Sequence, residues 1–317
     1  MNPFIHLPIA GTSVPAFILL GLGLGVGFLS GLFGVGGGFL LTPLLIMVGI
    51  PPTIAAASDS NQIVAASTSG TLAHWRRGNV DFKMGLYLLI GGVAGGTLGV
   101  QIIKILRATG NAGFVIEITY IVMLGIIGIY MFHESLQNIK GPKGVLKIRQ
   151  REKDGIEKEK KPLWITRFYQ SLPLQTHFEK SGVTLSIFTP LFLGMMVGIL
   201  AAIMGVGGGF IMVPVMVYML RMPMHVVVGT SLFQILFTCI NVTFMQSIYN
   251  HTVDIVLALI LLIGSTIGAQ IGAKVSDRLN ADQLKIILAS IVLLVMLQMT
   301  YGLLAYPDLL LSLSGSH

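Results

Sequence analysis

The sequence predicts an all-α integral membrane protein built from two homologous halves, read as inverted-topology repeats of five apolar segments each, with glycine-broken helices. Three observations predict this. The hexapeptide Gly-Val-Gly-Gly-Gly-Phe fills Gly34 to Phe39 and returns at Gly205 to Phe210, 171 residues on. Pro43 and Pro214 follow at the same spacing, as do Pro52 and Pro223, so the match is an aligned duplication and not a chance glycine cluster. Hydrophobic residues make up 54% of the 317 positions and charged residues 10%, with a mean hydropathy of +0.84, beyond the apolar share of a soluble domain.

Apolar runs fall near 14 to 33, 36 to 50, 54 to 73, 84 to 103 and 114 to 132, and again near 184 to 204, 207 to 220, 225 to 247, 253 to 273 and 284 to 304. Most have the ~20 residues that a helix needs to cross a hydrocarbon layer of about 30 Å. The glycine-led segments are shorter. From Phe39 to Gly49 a helix reaches only ~16 Å, so this segment reads as a half-helix, a re-entrant hairpin or part of a broken span. The organisation is therefore residues 1–132 as a first transmembrane repeat, 133–181 as a charged cytoplasmic linker rich in Lys, Arg and Glu, and 182–317 as a second repeat.

Charge placement bears on orientation. Arg76, Arg77 and Lys83 follow the third segment of the first half, whereas the matching loop of the second half, Ser247 to Asp254, has no Lys or Arg; Lys274, Arg278 and Lys285 come one segment later. If basic loops face the cytoplasm, equivalent loops lie on opposite sides, as inverted halves require. Lys104 and Arg107 fall on the outer side in this arrangement, which leaves eight full spans with parallel halves as the alternative. The net charge of +7 follows the same loop bias and gives no reason to expect nucleic acid. No Lys or Arg precedes Arg76, so the positive region of a cleavable signal is missing and the first apolar segment is expected to stay. Cys239 is the single cysteine and reads as a small packed hydrophobe.

Gly34, Gly36, Gly37 and Gly38, with Gly205, Gly207, Gly208 and Gly209, each cost about 1 kcal/mol against Ala inside a helix, so they serve geometry. Without Cβ atoms the backbone can unwind, and N–H groups at the start of the next half-helix can converge on an anion. Close helix packing is the competing use of such glycines, and it is the expected one for Gly25, Gly27, Gly91, Gly92, Gly95 and Gly96. Neither a phosphate-binding nor a dinucleotide-binding loop is present, because no Lys-Ser/Thr ends the motif and Phe39 stands where the third glycine is needed. No cofactor and no metal site is expected.

Polar residues cluster after each break: Ser58, Asp59, Ser60, Asn61 and Gln62 in the first half, Thr230, Ser231, Gln234 and Thr238 in the second. The 171-residue offset pairs Ser60 with Ser231 and Asp59 with Thr230. Ser60, Asn61, Thr230, Ser231 and Gln234 can hydrogen-bond an oxyanion without adding charge. A carboxylate inside a membrane helix costs about 2.5 to 3.5 kcal/mol, which marks Asp59 as a candidate proton-coupling residue, with helix capping near an interface as the alternative.

The duplicated motif, with Pro43 or Pro214 behind it, resembles that of the TauE/SafE family of sulfite and organosulfonate exporters, over nearly the whole chain except the charged linker and the extreme termini. The resemblance implies a secondary transporter, an exporter of small sulfur-containing anions such as sulfite, thiosulfate or organosulfonates, in a bacterial-type inner membrane. The family's glycine motif carries over onto Gly34 to Gly38 and Gly205 to Gly209. The long linker departs from the compact family pattern. Two other readings compete: an intramembrane enzyme pairing Asp59 with Asp254, and a membrane scaffold acting through the linker. The first needs the two carboxyl groups in contact.

Overall fold

The computed structural model describes residues 4–33, 38–139, 173–220, 222–276 and 281–305. It is 79% helical. A hairpin of β1 (Phe4–Leu7) and β2 (Thr12–Pro15) leads into α1 (Ala16–Phe33), α2 (Gly38–Met47), α3 (Pro52–Arg76), α4 (Phe82–Ala108) and α5 (Ala112–Ile139). A second hairpin, β3 (Gln175–Phe178) and β4 (Val183–Ser186), leads into α6 (Phe188–Met204), α7 (Gly209–Pro214), α8 (Met224–Met245), α9 (Ile255–Ser276) and α10 (Ala281–Ala305). The stretch read as a linker from 133 to 181 overlaps α5 at its start and the second hairpin at its end, and 140–172 lie outside the described residues.

The hairpins lie outside the elements expected from the sequence, yet they obey the same spacing. Phe4 pairs with Pro15 and Gln175 with Ser186, and the cross-strand bonds His6 Nδ1 to Ser13 Oγ (3.3 Å) and His177 Nδ1 to Thr184 Oγ1 (3.0 Å) join equivalent residues. Further along, the offset grows. Pro51 and Pro223 are the N-caps of α3 and α8, 172 apart, and Asp81 and Asp254 stand before α4 and α9, 173 apart. Each added residue coincides with a π-helical turn, Val215–Met219 after α7 and Gln246–Asn250 after α8, and a π turn is how a helix absorbs one extra residue.

Among the described residues, five helical stretches are long and apolar enough to cross a membrane: Phe82–Ala108, Ala112–His133, Met224–Asn250, Ile255–Gly272 and Ile287–Ala305. Ile126, Ile129, Leu294 and Leu297 are each more than 60% exposed, a surface suited to lipid and not to water. The protein is a multi-pass membrane protein. Helix α3 has the length to cross but carries Ser58, Asp59, Ser60, Gln62 and Ser67, all buried, so its polar side is turned into the bundle.

Glycine stripes set the two closest helix pairs. Gly23 and Gly27 of α1 lie on the backbone of Leu261 and Ser265, and Gly264 and Gly268 of α9 lie on Leu20 and Leu24, so α1 and α9 run parallel. Gly91, Gly95 and Gly99 of α4 meet Leu191, Met195 and Ile199 of α6 in the same sense. In lipid no hydrophobic drive joins helices, and small residues let the backbones touch. Gly25 is different: a Cβ there would meet open space. Helices α3 and α8 run antiparallel, with Gly229 against His74 and Leu232 against Gly70. Arg107 donates to the Asn250 carbonyl at 2.5 Å and the Lys104 ammonium sits 5.5 Å from the Tyr249 ring, so both cations pack on the π turn that follows α8.

Candidate functional site

The site is built where the second break ends one helix and starts another. Helix α6 stops at Met204 because Gly205 turns left-handed (φ 75°), and Gly207 (69°) and Gly208 (79°) keep that conformation until α7 begins at Gly209. Such φ values favour glycine. The break is buried and closely held. A Cβ on Gly205 would strike the Ala56 carbonyl of α3, one on Gly207 would come within 2.8 Å of Cys239 Sγ and Ile235, and one on Gly208 would strike Val197. Close packing is therefore a use of these glycines here, alongside the turn. Gly34, Gly36 and Gly37 lie outside the described residues, and Gly38 opens α2.

The two copies meet. Phe39 and Phe210, the last residues of the duplicated hexapeptide, stack face to face with centroids 4.3 Å apart and planes at 4°. Gly207 sits against both Ile63 and Ile235, which are equivalent at the 172 offset. Truncating either ring to alanine is expected to cost about 3 to 5 kcal/mol of stability, and a double-mutant cycle should leave about 0.5 to 1.5 kcal/mol of coupling between them. Thermal and denaturant unfolding in detergent measure both, and independent, additive losses would show that the stack contributes nothing of its own.

Thr42, one turn into α2, donates to Asp59 Oδ2 at 2.9 Å, and Asp59 Oδ1 has no hydrogen-bond partner among the described residues. That oxygen lies 3.3 Å from where a Gly38 Cβ would stand, so the carboxylate faces the point where the first break joins α2. Asp59 is fully buried. Ser60 donates to Ala56 O and to Gly205 O, both at 3.2 Å, and Tyr120 of α5 donates to the Met204 carbonyl. Two hydroxyls thus donate to carbonyls left without helical partners at the end of α6. Gln234 Nε2 donates to Thr238 at 2.9 Å while its Oε1, like Gln62 Oε1, is buried without a partner. Asn61 is half-buried.

The pairing of residues between halves needs correction. With α3 and α8 aligned at 172, Gln62 matches Gln234, Ser58 matches Thr230, Asp59 matches Ser231 and Ser60 matches Leu232. Ser231 donates to its own backbone at Val228, 3.1 Å away, and Thr230 accepts from Asp81 N at 3.0 Å, so neither hydroxyl is idle in this conformation. Thr42 and Tyr120 were absent from the residues picked out by sequence. Thr42 stands alone in an apolar run and Tyr120 lies in the fifth segment, far along the chain from either break; only the fold brings them to Asp59 and Met204.

The Asp254 carboxylate, the other acid of the enzyme reading, is engaged by main-chain donors. Its Oδ1 accepts from Leu257 N (3.2 Å) and its Oδ2 from Ile9 N (3.0 Å) and Ala10 N (3.4 Å). Among the described residues no group of three or more His, Cys, Asp or Glu could hold a metal ion.

The model of the family described as sulfite exporter TauE/SafE matches residues 19–299, taking in both breaks, α3, α8 and Tyr120. The chain belongs to the TauE/SafE family. Curated relatives agree over nearly full length. A "Probable membrane transporter protein YjnA" of Bacillus subtilis is 28% identical over 86% of this chain and 94% of its own. A "Probable membrane transporter protein YunE" of the same organism is 25% identical over 90% and 97%. A "Sulfite exporter TauE/SafE family protein 5" of Arabidopsis thaliana is 44% identical over a short stretch, 15% of this chain and 11% of its own. No solved structure matches. This TauE/SafE chain is thus a member of a membrane transporter family, and these relatives are named as membrane transporters or sulfite exporters.

Proposed function

We propose that the protein is a secondary transporter, an exporter of small sulfur-containing anions such as sulfite, thiosulfate or organosulfonates, that works by alternating access between inverted halves. The observation that carries this reading is the meeting of the two hexapeptide ends at one buried place, with Phe39 stacked on Phe210. The family name supports the anion, since it is shared with proteins called sulfite exporters. The opposite running of α3 and α8, and the parallel running of α1 with α9 and of α4 with α6, support the inverted relation of the halves. Localisation in a cell inner membrane and the repeats at 1–132 and 182–317 belong to the same proposal.

The N–H groups that begin α2 and α7 have no intrahelical partner and, with the positive end of each helix, supply donors for an oxyanion. Gly38 and Gly209 open these helices; Gly34, Gly36, Gly37, Gly205, Gly207 and Gly208 allow the approach; and Ser60, Asn61, Thr230, Ser231 and Gln234 lie on the two helices that flank it. Asp59 is the coupling residue. Its charge at the start of α2 competes with a substrate anion for the same positive end, so protonation of the carboxylate and binding of the anion go together. The second break is closed against α3 and α8, which fits an occluded step of such a cycle.

Reconstitution in liposomes tests this. The expected result is saturable flux of labelled sulfite, thiosulfate or a taurine-like sulfonate, driven by a pH gradient and at least ten times that of protein-free vesicles. No flux of any of the three, from protein that melts cooperatively, would rule the substrate class out.

A further inference from the structure

Asp81 and Asp254 have the same partners at two ends of the bundle. Both are buried, and one oxygen of each caps the helix that follows: Asp81 Oδ1 accepts from Met84 N at 3.0 Å and Asp254 Oδ1 from Leu257 N at 3.2 Å. The other oxygen holds the tip of a hairpin that belongs to the opposite part of the chain. Asp254 Oδ2 accepts from Ile9 N and Ala10 N, and Asp81 Oδ2 accepts from Ser181 N (3.1 Å) and Ser181 Oγ (2.5 Å). Ala10 and Ser181 are equivalent, 171 residues apart.

A third bond runs from each aspartate to the site helices. Asp254 N donates to Ser58 Oγ at 3.2 Å and Asp81 N to Thr230 Oγ1 at 3.0 Å. Ser58 precedes Asp59 in the chain, and Thr230 precedes Ser231. The two clusters stand at opposite ends of α3, because Ser58 is near its start and Asp81 lies just past its end at Arg76, a separation of roughly 27 Å along the helix. Each cluster therefore ties together a hairpin tip, the first turn of α4 or α9, and the polar stretch in the first half of α3 or α8.

We propose that these two clasps are the gates of the transport cycle: release of a hairpin from Asp81 opens one end of the pathway, release from Asp254 opens the other, and Ser58 and Thr230 pass the change to the site. The proposal rests on the transport reading for its purpose, and on the paired hydrogen bonds for its geometry. Asp81 and Asp254 are positioning residues in it and do not touch the anion.

The two clasps are unequal, and this gives the cycle a resting direction. Each second oxygen accepts two bonds, but at the Asp81 end one of them comes from a serine hydroxyl, Lys180 Nζ donates to Val80 O at 3.2 Å and lies 6.0 Å from the Phe82 ring, and Lys83 Nζ donates to His177 O at 3.4 Å. At the Asp254 end the residues matching Lys180 and Ser181 are Ile9 and Ala10, and those matching Phe82 and Lys83 are Ile255 and Val256, none of which carries a side-chain donor. Two main-chain N–H groups hold that end. The Asp254 clasp opens more readily, and the Asp81 clasp stays shut until the substrate step. A surface cleft of about 300 Å³ lined by Asp81, Phe82, Lys83, His177, Glu179 and Lys180 brings water to the Asp81 clasp, so its bonds can be exchanged for solvent when it opens.

The lone cysteine supplies the reporter. Cys239 is buried and its sulfur lies beside Gly207 of the second break, so a membrane-impermeant thiol reagent reaches it only through an open gate. The full-length protein is labelled in right-side-out and in inside-out membrane vesicles, comparing the parent with Asp81→Asn, Ser181→Ala and Asp254→Asn. Asparagine keeps a capping oxygen but turns the second oxygen into a donor, which the hairpin N–H groups cannot use. Asp81→Asn is expected to raise the labelling rate from one face only, by about tenfold, the factor corresponding to loss of one charge-assisted bond. Ser181→Ala should raise it from the same face by less, and Asp254→Asn from the opposite face. Equal increases from both faces, or no increase in any variant with the parent's melting temperature, would overturn the gates. Labelling that rises from both faces together with a lowered melting temperature marks a purely structural role and overturns them too. Because the readout needs no substrate, one-sided labelling in a protein that moves no sulfur anion would leave the gates standing and remove only the anion assignment.

Discussion

Gly205→Ala is expected to destabilise the protein by about 2 to 5 kcal/mol, because two separate costs coincide at one residue. The first is conformational: Gly205 is left-handed at φ 75°, where a Cβ is disfavoured by about 1 to 2 kcal/mol. The second is steric. The new methyl would strike the main-chain carbonyl of Ala56 on the buried face of α3, and backbone cannot rotate away as a side chain can. Relieving the clash by separating α6 from α3 would also break the bond from Ser60 to Gly205 O. Gly78→Ala is the control, since Gly78 has a similar φ of 73° but open space around its missing Cβ, so it should lose only the conformational part, about 1 to 2 kcal/mol. Unfolding in detergent compares the pair directly. Equal losses would mean that the break and α3 do not touch as described.

Asp59→Asn is expected to leave the fold intact and to reduce flux driven by a pH gradient at least tenfold, while anion exchange without a gradient persists. The reasoning is isosteric: asparagine fills the same fully buried space and can still accept from Thr42, so packing changes little, but it cannot gain and lose a proton. Thr42→Val provides a graded companion. It removes the side-chain donor to Oδ2, and losing a hydrogen bond to an ionisable group is worth about 1.5 to 3 kcal/mol, so its flux should move in the same direction with smaller amplitude. If Asp59→Asn transports with undiminished dependence on the gradient, Asp59 is structural and the coupling ion binds elsewhere.

The class of protein was legible in the chain because bilayer physics writes itself into composition and run length. A water-free layer admits only segments whose backbone is satisfied internally, which forces apolar runs of a set length whatever their partners. The repeated hexapeptide located both helix starts, α2 at Gly38 and α7 at Gly209, and the left-handed glycines from Gly205 to Gly208 follow from residues that can adopt them. The burial of Asp59 was foreseeable too, since a lone carboxylate in such a segment must face protein.

The residue-to-residue correspondence of the halves was not legible. A constant spacing of 171 matched Ser60 to Ser231, whereas the structure shifts α8 by one residue and α9 by another through two π turns, so Ser60 faces Gly205 with a leucine as its counterpart. A π turn has no sequence signature that an apolar run would reveal. The hairpins were missed for a related reason. Their strands are four residues long, too short for periodicity, and the repeated His-x₄-Gly at His6 to Gly11 and His177 to Gly182 is visible only once the offset is applied that far out.

What the sequence determined alone is thus a membrane-embedded, duplicated helical chain with a glycine interruption in each copy, because those properties depend on each segment's own solvation and backbone freedom. What only the tertiary structure decided is which polar groups meet: Thr42 with Asp59, Tyr120 with Met204, Ser181 with Asp81, and Phe39 with Phe210. Those meetings join residues far apart in the chain, and inside a bilayer, where apolar surface matches any other apolar surface, the choice of neighbour rests on close backbone approach at glycines and on satisfying the few buried hydrogen-bonding groups.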